Sequence, residues 1–587
     1  MYVTERLREK LGDLVRALSG CRVGVYAADF GRFNRNLKEY LAGLDVAAIY
    51  LPAKRNYDQG FPPERDMERF LAGIDCLLLW GDDEVTLELV QTVIDGGNRI
   101  RVVNALRRGH PLSLLNAEKS YRRAALDAWP STREELQAVD GLSKALLETT
   151  ARGRAWGEQP PQIVAGLLPF DQAVMHYRGV SAACPACGRA LRTVKSFVIP
   201  DPARHYSTIF YHFECHEEFY LIKEPYGLVG VYFPVRELFL SFIDSKSWHG
   251  VNKYYEKMCN DLIDIFKTYV LYAMEEVEAY MQNAGPSKVL ALIGDFSSFG
   301  HYVRNELAGV QKIIDAGALD RIDAWIIGKN DHLQVRRIFP ELSAARKVFG
   351  MDAKRMEMET FRACFADNAC AMLVHYIGGL CDLLAKRIDH NHARRHVAAA
   401  VAQQVAQAKK HWPLVYVTLR IKRCWISQAK GLALILNALF EEHPGLAVVF
   451  DGLPYEQDIL SDVLGQLDPG IEAFDALHCT KADTLFWGSN IDLHISPHGN
   501  GNYFTLIPNK PGVVHANKQF LDMYLIPGQD GFVAPSPRET PAPCLAVYPV
   551  WEDDEPDLHQ CDYDLDWRQV LAAARRSLNL IPRRDRA

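Results

Sequence analysis

No run of about 18 apolar residues occurs in this chain, so no segment reads as a membrane-spanning helix. No N-terminal stretch has the basic, apolar and small-residue order of a signal peptide; MYVTERLREKLGDLVRAL reads as an amphipathic helix instead. A basic excess is also missing. Lys and Arg number 66 against 73 Asp and Glu, a net charge of −7, which argues against a nucleic-acid partner. No GxxxxGK[ST] loop is present, which weighs against a P-loop kinase or ATPase. No GxGxxG follows a strand pattern, which weighs against a dinucleotide oxidoreductase. Thirteen cysteines, an odd number scattered through apolar segments, do not form a disulfide framework and fit a reducing compartment. Repeats and low-complexity tracts are absent. These absences lead to the expectation of a soluble cytoplasmic protein, with peripheral contact as the remaining form of membrane association.

What is present is ordinary globular composition, 48% apolar and 24% charged over 587 residues, enough for three or four domains. Residues 1–150 alternate strand patterns (22–27, 46–52, 75–80, 100–104) with helical ones (33–42, 66–72, 84–95), the signature of a parallel sheet with covering helices. The first strand leads into Ala28-Asp29-Phe30-Gly31, which carries no cofactor signal. A methyltransferase remains open for this region; a scaffold or acceptor-recognition role is the default. After a Gly/Pro-punctuated linker, residues 168–245 read as a β-rich insert with strands near 197–199, 209–213, 219–222 and 229–233. Its Cys184-Pro185-Ala186-Cys187-Gly188 has the knuckle spacing that points two thiolates at one tetrahedral ion. His212 and Cys215 are the candidates for the other two ligands of a structural zinc, with His216 as substitute. The competing readings are free cysteines at a hairpin and, with less support, a redox dithiol.

Residues 246–284 read as a connecting helix with Leu262, Ile265, Tyr269 and Tyr272 on its packing face. Two further α/β units follow, 288–410 and 411–550, then a tail, 551–587, of Pro-rich and acidic approach and basic end. The first unit starts with a strand over 289–294, a loop over 295–300, a helix over 301–316 and a strand over 323–327. Helices are expected from there to residue 410, and HNHARRH over 390–396 reads as a solvated face. In the second unit, strands over 414–419 and 446–451 alternate with helices over 427–441, the first capped by Ser427, and 458–466. The fold class is therefore α/β, with several doubly wound Rossmann-like domains.

The most informative stretch is 492–518, DLHISPHGNGNYFTLIPNKPGVVHANK. A short strand, a glycine loop and a helix start form an anion site, because the first helical N–H groups are unpartnered and glycines admit a phosphate to the backbone. In open α/β sheets ligands sit outside the carboxyl ends of the strands. Three loops fall there: 295–301 from one unit, 420–425 and 498–502 from the other. Arg420 and Arg423 can fork onto phosphate oxygens, Lys510 adds a further cation, and the loop N–H groups of His498, Gly499, Asn500, Gly501 and Asn502 can hold developing charge. That set suits a nucleotide-diphosphate leaving group.

The segments WPLVYVTLRIKRCW, VVFDG and SPHGNGNYFTLIPNKPGVVHA resemble the nucleotide-binding half of GT-B glycosyltransferases. The nearest pattern is the family containing plant xylosyltransferases and the extracellular O-linked N-acetylglucosaminyltransferase. Members carry a strand followed by His-Gly-Ala-Gly and an upstream strand ending in Arg, and often an aromatic-His helix start similar to Phe299-Gly300-His301-Tyr302. The resemblance spans residues 288–520 and departs in Asn500, where the family has alanine. It implies a GT-B-like pair in the C-terminal half and inverting transfer of a sugar from a nucleotide sugar to a glycan, lipid or protein hydroxyl. It implies His301 as general base, with Glu306 and Asp295 in reserve, and Asp451 and Asn500 near ribose or base. No catalytic metal is expected. The acidic Glu552-Asp553-Asp554 and Asp562-Tyr563-Asp564 read as solvated. The principal rival is a non-catalytic glycan- or nucleotide-binding scaffold; another phosphate-handling transferase is the second.

Overall fold

In a computed structural model of the chain, the residues described are 162–184, 189–200, 206–225, 227–234, 238–241, 262–263, 265–347, 358–376, 380–498, 507–518, 542–552 and 562–581. In the first 150 residues they are 11–12, 14–16, 18–27, 45–50, 63–64, 70, 73–80, 101–104 and 122–125. The fold is α/β, with three all-parallel sheets. The first holds β1 (Arg22–Ala27), β2 (Asp45–Tyr50), β3 (Pro63–Glu64), β4 (Cys76–Trp80) and β5 (Arg101–Asn104), in the order β3-β2-β1-β4-β5. The strands expected near 22, 46, 75 and 100 are all present. The helices expected between them lie outside the described residues.

The insert is built as expected from antiparallel strands. β6 (Arg122–Ala125) runs parallel along one edge, and the hairpin β7 (Val180–Ala183) and β8 (Ala190–Thr193) forms a separate pair. β9 (Ser196–Ile199), β10 (Thr208–Glu214), β11 (Glu218–Glu224), β12 (Gly227–Phe233) and β13 (Leu238–Ser241) complete a six-stranded sheet. Helix α1 (Pro169–Tyr177) is tied to it by a buried Asp171–Lys223 ion pair of 3.1 Å.

The next unit has β14 (Lys288–Ile293), β15 (Ala324–Ile327), β16 (Arg346–Lys347) and β17 (Ala369–Leu373), in the order β16-β15-β14-β17. Strand β17 falls where the sequence reads as helix, because Ala-Cys-Ala-Met-Leu has no β-branched residue. Its free edge would leave backbone groups unpaired in the interior, a costly arrangement. Side chains of the insert and of helix α2 (Met274–Gln282) close it. The hydroxyls of Tyr211 and Tyr280 donate to the carbonyls of Ala371 and Ala369, both at 2.9 Å, and Ala371 N–H donates to Ser196 Oγ at 2.8 Å. Small residues in β17 admit these tyrosines. The insert, the connecting helix and this unit consequently share one continuous core rather than standing as separate domains.

The last sheet contains β18 (Leu414–Thr418), β19 (Ala447–Asp451), β20 (Glu472–Asp475), β21 (Leu493–Pro497), β22 (Gly512–His515) and β23 (Cys544–Val547). All pair in parallel in the order β20-β19-β18-β21-β22-β23. Read along the chain this is 3-2-1-4-5-6, the doubly wound dinucleotide-type order with its switch point between β18 and β21. The tail does not stand apart. A small pair, β24 (Trp551–Glu552) and β25 (Tyr563–Asp564), leads to a helix, Trp567–Asn579, whose Val570, Leu571, Ala574 and Leu578 enter the core of this sheet. The domain therefore runs to about the end of the chain rather than to residue 550. No helix among the described residues is long and apolar enough to cross a membrane.

Candidate functional site

The switch point is where β18 and β21 diverge. Thr418 Oγ1 and Ser496 Oγ, both buried, lie 3.1 Å apart across it. Two residues beyond β18 and one beyond β21 stand the half-buried Arg420 and His498. Arg420 Nη1 donates to the His498 carbonyl at 3.0 Å, so the arginine spans the gap and fixes the entry of the glycine loop. Gln428, at the start of the helix Gln428–Glu442, holds the Arg420 backbone from both sides: its Oε1 accepts from Arg420 N–H (3.2 Å) and its Nε2 donates to the Arg420 carbonyl (2.6 Å). Burial, with the Arg423 charge nearby, lowers the Arg420 pKa from its ordinary value. Arg423, also half-buried, takes a left-handed conformation with φ 51°. Gly499, Asn500, Gly501 and Asn502 lie outside the described residues.

The turn that carries Arg420 is held by Glu456, which the sequence did not single out, and by Asp562 and Asp564, which it reads as solvated. Glu456 accepts from the N–H of Ile421 (3.2 Å) and of Leu453 (2.6 Å), joining the loops after β18 and β19. Asp562 accepts from Cys424 N–H at 2.8 Å and Asp564 from the Ser427 hydroxyl at 2.6 Å. The acidic pair therefore holds the turn instead of facing solvent, and Ser427 bonds Asp564 rather than capping its helix. Between them Tyr563 is buried, its hydroxyl 2.9 Å from His515 Nδ1. An aspartate every second residue beside a tyrosine was the available signal. Asp553 and Asp554 are outside the described residues.

Asp451 ends β19, and burial raises its pKa to about 7 although the Lys481 charge opposes the shift. His498 is pushed down to about 4 by burial and by the Arg420 and Arg304 charges, so its imidazole is neutral at neutral pH. Lys510 is placed differently from the expectation. It precedes β22, whose first residue Gly512 pairs with His494 near the start of β21. Its backbone thus sits at the amino edge of the sheet, a strand's length from Arg420.

The opposing face comes from the first unit. A helix in three segments, Phe299–His301, the π-helical Tyr302–Leu307 and Ala308–Asp315, starts beyond β14. π turns are rare and recur at functional sites. Glu306, in this turn, is buried and accepts from the N–H of Gly294 (3.1 Å) and Asp295 (2.9 Å). Asp295 accepts from the Ser207 hydroxyl at 2.6 Å and from Ser207 N–H. Both carboxylates are raised in pKa by burial, and both are committed to holding the 294–296 loop against the insert. The reserve-base role expected of them gives way to this positioning one.

His301 differs. Asn305 Nδ2 donates to the Tyr376 carbonyl at 2.7 Å, so Asn305 Oδ1 faces His301 Nδ1 at 3.0 Å as an acceptor. His301 must then carry its proton on Nδ1, which leaves Nε2 as the acceptor nitrogen of the neutral ring. The ring is stacked against Phe296, with centroids 5.4 Å apart. Next to it His375 is buried, and burial, with the Lys223 and Arg304 charges opposing a second positive charge, pushes it down to about 3.

Two interactions run between the faces. The Arg304 charge is felt at both His375, beyond β17, and His498, beyond β21. Lys481, at the start of the helix Lys481–Asn490, sits 5.7 Å over the Phe299 ring. The carboxyl ends of the two sheets thus face each other, with Lys481 against Phe299 and the Arg304 charge felt at His498. Arg304 and Lys481 escaped the sequence reading because ordinary helix positions carry no motif.

Of the residues named as zinc ligands, Cys184, Cys215 and His216 bring ligand atoms within 4.8 Å of one another. His212 is elsewhere: it is buried with Nε2 3.2 Å from Glu218 Oε1. Cys187 lies outside the described residues. In the 390–396 segment His392 is buried, while His390, Arg394, Arg395 and His396 are solvated as expected.

No family model matches the sequence, and no curated protein matches it. Among solved structures, the chain is similar to a glycosyl transferase of family 9 from Veillonella parvula, at 11% identity and a TM-score of 0.30, covering 50% of this chain and 98% of that one. It is similar to Escherichia coli ADP-heptose lipopolysaccharide heptosyltransferase II at 10% identity and a TM-score of 0.30, covering 50% and 99%. A third likeness, at 13% identity and a TM-score of 0.21, is to an E. coli trehalose-6-phosphate protein bound with UDP-2-fluoro glucose, covering 59% and 80%.

Proposed function

We propose that this protein is a glycosyltransferase that moves a sugar, hexosyl or pentosyl, from a nucleotide-diphosphate donor to an acceptor hydroxyl of a glycan, lipid or protein. The observation that carries the reading is that the carboxyl ends of two parallel sheets face each other, one presenting Arg420 at its switch point and the other a helix start with His301 held by Asn305. In this reading Arg420 and Arg423 fork onto the diphosphate, and the 498–502 loop holds the charge that develops as the anomeric bond breaks. His301 Nε2 takes the acceptor proton as that oxygen attacks, giving inversion in a single displacement. Asp451 and Asn500 contact the nucleoside. Arg304 and Lys481 close the crevice over the phosphates and exclude water. The organisation needs no catalytic metal, since the cations present neutralise the leaving group.

The test is release of nucleoside diphosphate from a panel of nucleotide sugars, with and without simple glycan and lipid acceptors. Turnover by wild type that falls by about 100-fold or more in His301→Ala, with donor affinity kept, supports the assignment. Donor binding without any turnover would favour the scaffold reading.

A further inference from the structure

We propose that Cys184, Cys215 and His216 bind a zinc ion that fastens the β7–β8 hairpin to the turn between β10 and β11. The two elements meet at their tips. Cys184 directly follows β7, and its N–H donates to the Arg189 carbonyl at 2.8 Å. Cys215 and His216 occupy the three-residue turn between Glu214 and Glu218, the last pair of the β10–β11 ladder. Cys215 Sγ lies 3.3 Å from His216 Nδ1. Tetrahedral zinc with bonds of about 2.3 Å to sulfur and 2.0–2.1 Å to nitrogen separates such atoms by about 3.6 Å, so little movement is required. The three ligand atoms already lie within 4.8 Å, and neither Cys184 nor Cys215 is in a disulfide. Cys184 also opens the Cys-x-x-Cys of the sequence, a spacing typical of zinc knuckles. Sulfur-rich, four-coordinate sites favour zinc over the harder divalent ions.

β7 and β8 hydrogen-bond only with each other among the described strands, and the buried Val180 and Ala182 seat the hairpin in the shared core. A metal at its tip ties it to the large sheet that closes the edge of β17 and carries Ser207, the partner of Asp295. The site is structural, remote from the crevice and independent of the transferase reading.

The test is metal analysis of tag-free full-length protein expressed with zinc, followed by cobalt exchange. Expected are one zinc per chain and a cobalt form with the strong visible bands of tetrahedral coordination and a thiolate charge-transfer band in the ultraviolet. Cys215→Ser and His216→Ala should each weaken zinc retention against a chelator by at least tenfold, whereas His212→Gln should keep it. Substoichiometric metal, an octahedral cobalt spectrum, or a Cys184–Cys215 disulfide in peptide maps of the freshly purified protein would overturn the proposal. The cobalt spectrum of wild type decides the matter even if a variant fails to fold.

Discussion

At the residue scale the account turns on charge and protonation state. His301 is placed to act because Asn305 can face it only as an acceptor, an orientation fixed by the Tyr376 carbonyl. Asn305 is thus a positioning residue, and Asn305→Ala should lower kcat while leaving KM nearly unchanged and shift the acid limb of the pH–rate profile. A merely structural role would lower folded protein without moving that limb. Asp451 gives a second prediction. Its pKa, near 3.8 when unfolded, stands at about 7 in the fold. The folded state therefore holds the proton more tightly, and stability falls as pH rises from about 4 to 7. Asp451→Asn should remove this loss, raising Tm at pH 8 relative to wild type and leaving it nearly unchanged at pH 4. Equal effects at both pH values would contradict the assignment.

At the scale of elements the Arg420 turn depends on chain 140 residues away, the Asp562-Tyr563-Asp564 strand. Tyr563→Phe removes the bond to His515 inside the core and should cost about 1–2 kcal/mol in urea unfolding. Gly431 tests the packing beneath the same turn. Gly to Ala in a helix ordinarily gains about 1 kcal/mol, but here the new Cβ would stand 2.2 Å from the Trp425 ring. Overpacking should win, and Gly431→Ala should lose about 1–3 kcal/mol. What was legible in the sequence follows the same division. Strands such as β14, β18 and β21 announce themselves by apolar runs, and Arg420 and His498 by standing just past them. β17 was hidden because its edge is satisfied by Tyr211, Ser196 and Tyr280, contacts that no local pattern records. Glu456, Asp562 and Asp564 were hidden for the same reason, since their partners are backbone N–H groups distant in sequence. Lys510 was misplaced because the Pro-rich turn before β22 returns the chain to the other end of the sheet.

For the whole molecule, the repeated doubly wound order gives all-parallel sheets, and the carboxyl ends of two of them face each other where Lys481 meets Phe299. The interior that supports them is rich in neutral histidine. His375, His494 and His515 are pushed down to about 3, and His392 and His498 to about 4, chiefly by burial. Unfolding lets each take up a proton below pH 6.5, so their stabilising effect is full above that pH and is lost on acidification. Each contributes up to about 1.4 kcal/mol per pH unit in that window. The protein should therefore show a steep fall in Tm between pH 6.5 and 4, beyond what carboxylate protonation supplies, and His494→Gln should reduce the slope. The central claim, however, is the crevice. The most direct measurement is thermal shift with nucleoside diphosphates and nucleotide sugars on wild type, Arg420→Ala and Arg420→Lys. A ligand at 100 times its dissociation constant adds about 2.7 kcal/mol. The account predicts that one nucleotide class stabilises wild type, that Arg420→Ala loses the shift and that Arg420→Lys keeps only part of it. No shift with any nucleotide, or an equal shift in all three proteins, would contradict it.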